Sequence, residues 1–142
     1  MNNFGLVLEN CKNINNIGGI MRAAFNFNAQ FIATIGQRYK RDSLDTPNTG
    51  RHIPIFTFKS IDDYRKSAVS WIHIGCEIVE QSINIKNFVH PQQCVYLLGP
   101  EDGGLSKNAL SICKYTVQIP TRNCLNLAVA AGILMYDRMA KQ

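Results

Sequence analysis

No apolar run in this chain approaches the roughly 20 residues needed to cross a bilayer, which excludes a membrane-spanning helix. The opening, MNNFGLVLEN, has no basic leading segment, no long apolar stretch and no small-residue cleavage site, so a cytoplasmic protein is expected. Cysteines at 11, 76, 94, 113 and 124 are odd in number and form no CxxC pair, which argues against a disulfide framework and against zinc. Histidines at 52, 73 and 90 fit neither HxxxH nor HExxH, and no metal is expected. The GxGxxG and GxxxxGKS/T phosphate-binding patterns are absent, so neither nucleotide fingerprint applies. No repeat, low-complexity tract or Pro/Ser-rich linker divides the chain, and residues 1–142 read as one domain.

What is present is the composition of a packed protein. At 142 residues, with 46% hydrophobic and 18% charged residues, the chain can bury a core and is unlike a disordered one. Cys76, Cys94 and Cys113 lie among apolar residues and read as packed, reduced thiols. The net charge of +5 is compatible with a polyanionic partner without demonstrating one.

Short apolar segments alternate with helical ones. Strands are expected at 4–9, 31–36, 53–58, 71–79, 94–99 and 115–120. Helices are expected at about 17–27, after the cap residues Ser60 and Ser106, and from about 125 to 140. Apolar strands of this length between helices predict an α/β class, a parallel sheet covered by helices on both faces. In such sheets ligands bind outside the carboxyl ends of the strands, where the loops 10–19, 99–106 and 120–126 would fall.

Each of these loops has a plain reading and a functional one. In LLGPEDGGLS, glycines allow close backbone approach to a ligand, or simply make a turn with solvated acids. Asn126 precedes an almost wholly apolar helix, LAVAAGIL, and could be only its cap. That helix should be buried or lie at a subunit interface. In NIGGIMR, Asn16 and Arg22 flank what reads as a glycine hinge, with Arg22 near the helix start, where it opposes the dipole. A guanidinium reaching a phosphate explains that placement better than a lone surface arginine.

In this order and spacing the three loops resemble the SpoU family of RNA ribose methyltransferases, the TrmH-like branch of the SPOUT class. The family motifs are an Asn followed six residues later by Arg (Asn16, Arg22), LGxExxGL (LGPEDGGL, with Glu101) and IP…SLN before a small-residue helix (IPTRNCLNLAVAAGILMYDR, with Asn126). Cys124 stands where the family commonly has serine, and a thiol is the poorer hydrogen-bond donor.

The resemblance implies a SPOUT-like C-terminal trefoil knot, a homodimer, and S-adenosylmethionine bound near Cys76, Gly99, Ile119, Cys124 and Leu125. It further implies methyl transfer to a ribose 2′-hydroxyl. Arg22 would hold the phosphate or the 2′-oxygen, Glu101 would ion-pair with Arg22, and Asn16 and Asn126 would orient Arg22 and the ribose. The loop 37–52, with Arg38, Lys40, Arg41 and Arg51 beside Tyr39 and His52, suits an RNA backbone and an unstacked base. Asp42 and Asp45 dilute that patch, and a solvated loop is the plain alternative. No appended N-terminal RNA-binding domain is visible, which leans the expectation from ribosomal toward transfer RNA. The competing expectation is a catalytically silent RNA-binding member of the same fold.

Overall fold

A computed structural model describes residues 2–36, 53–67 and 70–142. The elements run β1 (Asn3–Glu9), α1 (Ile14–Asn26), β2 (Phe31–Ile35), β3 (Ile55–Phe58), α2 (Ile61–Lys66), β4 (Ile72–Cys76), β5 (Ile83–Asn84), a 3-10 turn (Ile85–Asn87), β6 (Gln93–Leu98), α3 (Lys107–Ile112), β7 (Tyr115–Gln118) and α4 (Leu127–Ala140). The strands form one sheet in the order β3-β2-β1-β6-β4-β7-β5, and every pairing is parallel. No helix among the described residues is long and apolar enough to cross a membrane.

Side-chain alternation divides the core into two layers. Phe4, Leu6 and Leu8 of β1 pack with Ile17, Ile20 and Met21 of α1 and with Leu134 and Met135 of α4. Val7, on the opposite face, joins Ile61 and Tyr64 of α2 and Ala109 of α3. Helices therefore cover both faces, as the apolar strand runs require. β1 leads outward to β2 on one side and β6 leads outward past β4 to β7 on the other, which makes the carboxyl ends of those two strands the topological switch point.

Helix starts follow local capping chemistry. Ser60, Ser106 and Asn126 cap α2, α3 and α4, each accepting from a backbone N–H one turn in. The start of α1 departs from the sequence expectation of residue 17. Asn13 is its cap, and its Oδ1 accepts from Asn15 N at 3.0 Å and Asn16 N at 3.4 Å. The expected hinge therefore lies inside the helix. Gly19 instead permits close packing, since a Cβ there would stand 3.1 Å from Ala128 Cβ of α4. The strand expected at 71–79 stops at Cys76, and two-residue β5 was too short to show a pattern.

Candidate active site

Three strand ends and the start of α1 surround a cavity of about 560 Å3. Its wall includes Asn13 and Asn16 from α1 and its cap, Cys76 and Glu77 after β4, Gly99 to Glu101 after β6, Ile119 after β7, and Cys124 to Asn126 before α4. All three sequence-marked loops thus meet at the switch point. The five residues expected to hold a cofactor (Cys76, Gly99, Ile119, Cys124 and Leu125) line this one cavity, with Asn16, Glu101 and Asn126.

The polar side of the wall is a directed amide relay. Asn126 Oδ1 accepts from Ala128 N and Val129 N at 2.9 and 3.3 Å, which leaves its Nδ2 to donate to Asn16 Oδ1 at 2.8 Å. The buried Asn16 then donates from Nδ2 to Glu101 Oε1 at 2.7 Å. A helix cap at one end and an acceptor-only carboxylate at the other fix the orientation of both amides. Burial alone would raise the Glu101 carboxyl. The Asn16 amide, with the backbone N–H groups of Glu101 and Lys12, outweighs burial and the charge of Asp102, and holds it below its ordinary value.

The 99–106 loop is built by close backbone contact. A Cβ on Gly99 would lie 2.4 Å from both Gly104 C and Leu105 N, and Gly104 sits at φ +69°. Beneath it, the buried Glu9 carboxylate accepts from Ser106 N at 2.9 Å and from Ser106 Oγ. Burial, with the Glu77 charge beside it, pushes the Cys76 thiol up to about 12, so Cys76 is a neutral part of the wall.

Arg22 is placed differently from the expectation. It lies on the exposed face of α1 and is not part of the cavity wall. With both residues on one helix, six steps of about 100° and about 1.5 Å put Arg22 some 120° around and about 9 Å along from Asn16. The two side chains diverge. Nor does Glu101 ion-pair with Arg22 among the described residues; Asn16 occupies Glu101 instead. Arg38, Lys40, Arg41 and Arg51 lie outside the described residues. Sequence reasoning missed Asn13 and Glu77. Asn13 was legible as a rival cap, whereas Glu77 was hidden inside an apolar run read as strand.

The sequence profile of the SpoU rRNA Methylase family matches residues 3–136. The chain belongs to the SpoU family. This SpoU chain is 27% identical over 146 aligned residues to an uncharacterized tRNA/rRNA methyltransferase of Borreliella burgdorferi, covering 96% of this chain and 63% of that protein. It thus spans somewhat under two thirds of the length of the curated relatives it matches, 63% and 62%. Its fold matches that of an AdoMet-bound rRNA methyltransferase from Sinorhizobium meliloti with a TM-score of 0.85 at 21% identity, over 97% of this chain and 56% of that one. It also matches, with a TM-score of 0.85 at 20% identity, a chain solved in a study of 2-OH methylation of C/U34 on tRNA, over 97% of this chain and 95% of that one.

Proposed function

We propose that this SpoU chain is an S-adenosylmethionine-dependent RNA methyltransferase that methylates a ribose 2′-hydroxyl. The observation that carries the reading is the convergence of Asn16, Gly99, Glu101, Ile119, Leu125 and Asn126 on one cavity. The cavity fits such a donor in size, since pockets for ligands of that class run about 300–1,000 Å3. Backbone groups at Gly99, Ile119 and Leu125 are suited to the adenine and ribose, which the neighbouring apolar side chains cannot hydrogen-bond. The Glu101 carboxylate in the wall favours a cationic ligand. The trefoil knot, with the last helix threading the loop before it, is part of the same reading.

When bound, the donor supplies an electrophilic methyl on a sulfonium. Transfer to the ribose oxygen would leave the carbon–sulfur bonding pair on sulfur, and the hydroxyl proton would pass to a phosphate oxygen or water. The chain's contribution is alignment and charge. Asn16 and Asn126 fix one wall against which the ribose is oriented. The planar fork of a guanidinium suits a phosphate, so Arg22 anchors the substrate phosphate and stabilises the developing alkoxide.

Arg22 points away from its own cavity wall, so the reading requires a homodimer in which Arg22 of one copy faces the cavity of the other. The exposed apolar side chains Val129, Ile133, Tyr136 and Met139 of α4 give such a dimer a surface to bury.

The test is labelled methyl transfer from S-adenosylmethionine to bulk RNA, followed by alkaline hydrolysis. A 2′-O-methyl blocks cleavage at its own phosphate, so label in alkali-resistant dinucleotides is expected, and label in mononucleotides would refute ribose methylation. Arg22→Ala should abolish transfer while leaving donor binding intact. Transfer that survives the substitution would refute the role given to Arg22 and the need for the dimer.

A further inference from the structure

Glu77 has a position that neither the family motifs nor the relay explains. Its main chain is fixed on two sides: Glu77 N donates to Val117 O of β7 at 3.0 Å, and Glu77 O accepts from Ser82 Oγ at 2.7 Å. Ser82 Oγ also accepts from Val79 N at 3.2 Å, which closes the 77–82 loop on itself. From that anchored backbone the side chain crosses to another loop. Glu77 Oε2 accepts from Leu105 N at 2.9 Å, and Oε1 accepts from Ile78 N at 2.9 Å.

The Leu105 N–H belongs to the turn that touches Gly99. The Gly99 Cα side rests on Gly104 C and Leu105 N, and a Cβ on Gly104 would meet Glu77 Oε2 at 2.4 Å. One residue thus ties together the end of β4, the 99–105 loop through its carboxylate and the end of β7 through its main-chain N–H, the three strand ends that contribute Cys76, Gly99 and Ile119 to the cavity.

We propose that Glu77 is a positioning residue of the donor cavity: by holding Leu105 N it fixes Gly104 against Gly99 and sets the backbone to which the donor binds. The proposal rests on the functional reading above, and it makes a separate claim about the ligand-free protein. In Glu77→Ala the turn keeps its sequence but loses its acceptor, so the cavity wall becomes adjustable. Donor affinity then falls because the wall must be ordered on binding. The chemical step changes little once the donor is seated. Glu77→Gln keeps one acceptor oxygen for Leu105 N, while its amide nitrogen cannot accept from Ile78 N, so it restores part of the effect.

Two measurements test this. Amide hydrogen exchange without ligand should show Leu105 N–H protected in the wild type, at least tenfold faster in Glu77→Ala and intermediate in Glu77→Gln. Calorimetry with S-adenosylhomocysteine and steady-state methyl transfer should show Kd and donor KM raised about tenfold or more in Glu77→Ala, with kcat within about threefold of wild type. Unchanged Leu105 exchange overturns the proposal whatever the ligand does. So does unchanged Kd, or a fall in kcat at constant KM. If Glu77→Ala does not fold, the same two readings on Glu77→Gln decide. A wild type with a protected Leu105 that binds neither S-adenosylhomocysteine nor S-adenosylmethionine overturns the functional reading, and the positioning role with it.

Discussion

Asn16→Ala isolates the amide relay. The substitution removes the acceptor for Asn126 Nδ2 at 2.8 Å and the donor to Glu101 Oε1 at 2.7 Å. A neutral hydrogen bond contributes about 0.5–1.5 kcal/mol and one to a carboxylate about 1.5–3 kcal/mol. Glu101 is exposed, so water replaces much of the second contribution. The better helix propensity of alanine returns a few tenths. The net loss is about 1–2 kcal/mol near neutral pH.

The pH dependence is more diagnostic than the size. The Asn16 bond helps keep the folded Glu101 carboxyl below its ordinary 4.5. A depressed carboxylate contributes stability that is fully present above 4.5 and is lost as pH falls through the folded value. Urea unfolding of wild type and Asn16→Ala, from pH 7 downward, should therefore give a stability difference that narrows on acidification below 4.5. A difference that stays constant with pH, or one within about 0.3 kcal/mol of zero throughout, would refute the relay.

Three further outcomes follow from the same geometry. Gly99→Ala forces a Cβ to within 2.4 Å of the Gly104 and Leu105 backbone, so it should cost about 1–3 kcal/mol by urea unfolding and weaken S-adenosylhomocysteine in calorimetry. Arg138 is 2% exposed and donates to Pro91 O, Gln92 O and Tyr96 Oη; Arg138→Ala strands three acceptors at about 1 kcal/mol each, so a loss of about 3 kcal/mol by urea unfolding is expected. Burial, aided by the Arg138 and Lys141 charges, lowers the His90 pKa below 6.5 against the pull of Asp137. The stability it carries is therefore complete above 6.5 and lost as pH falls through the folded value, a loss that thermal scans should show in wild type and not in His90→Gln.

The strands were legible because both faces of a parallel sheet are buried, and runs such as CVYLL then carry no polar interruption. Ser60, Ser106 and Asn126 were legible as caps because capping is local. The same locality misled at α1. Asn13 and Asn16 are both competent caps, the glycine pair after Asn16 looks like a break, and only packing against Ala128 shows why Gly19 belongs in a helix. The convergence of Asn16 with Glu101 and Asn126, 85 and 110 residues away, has no local signature: the parallel-sheet rule brought their loops to one edge, and the family resemblance singled out the residues. Glu77 lay beyond both routes, since it follows an apolar strand and matches no motif. Arg138 was hidden in the last helix, where its partners Pro91, Gln92 and Tyr96 become visible only in the fold.

The central claim is that one methyl donor sits where these loops meet and faces a guanidinium from a second copy. A crystal structure of the protein with S-adenosylmethionine tests it most directly. The account predicts the adenosyl group against Gly99, Ile119 and Leu125, with Arg22 of the other copy beside the methyl. A donor bound elsewhere, or one remote from Arg22 of both copies, would contradict it.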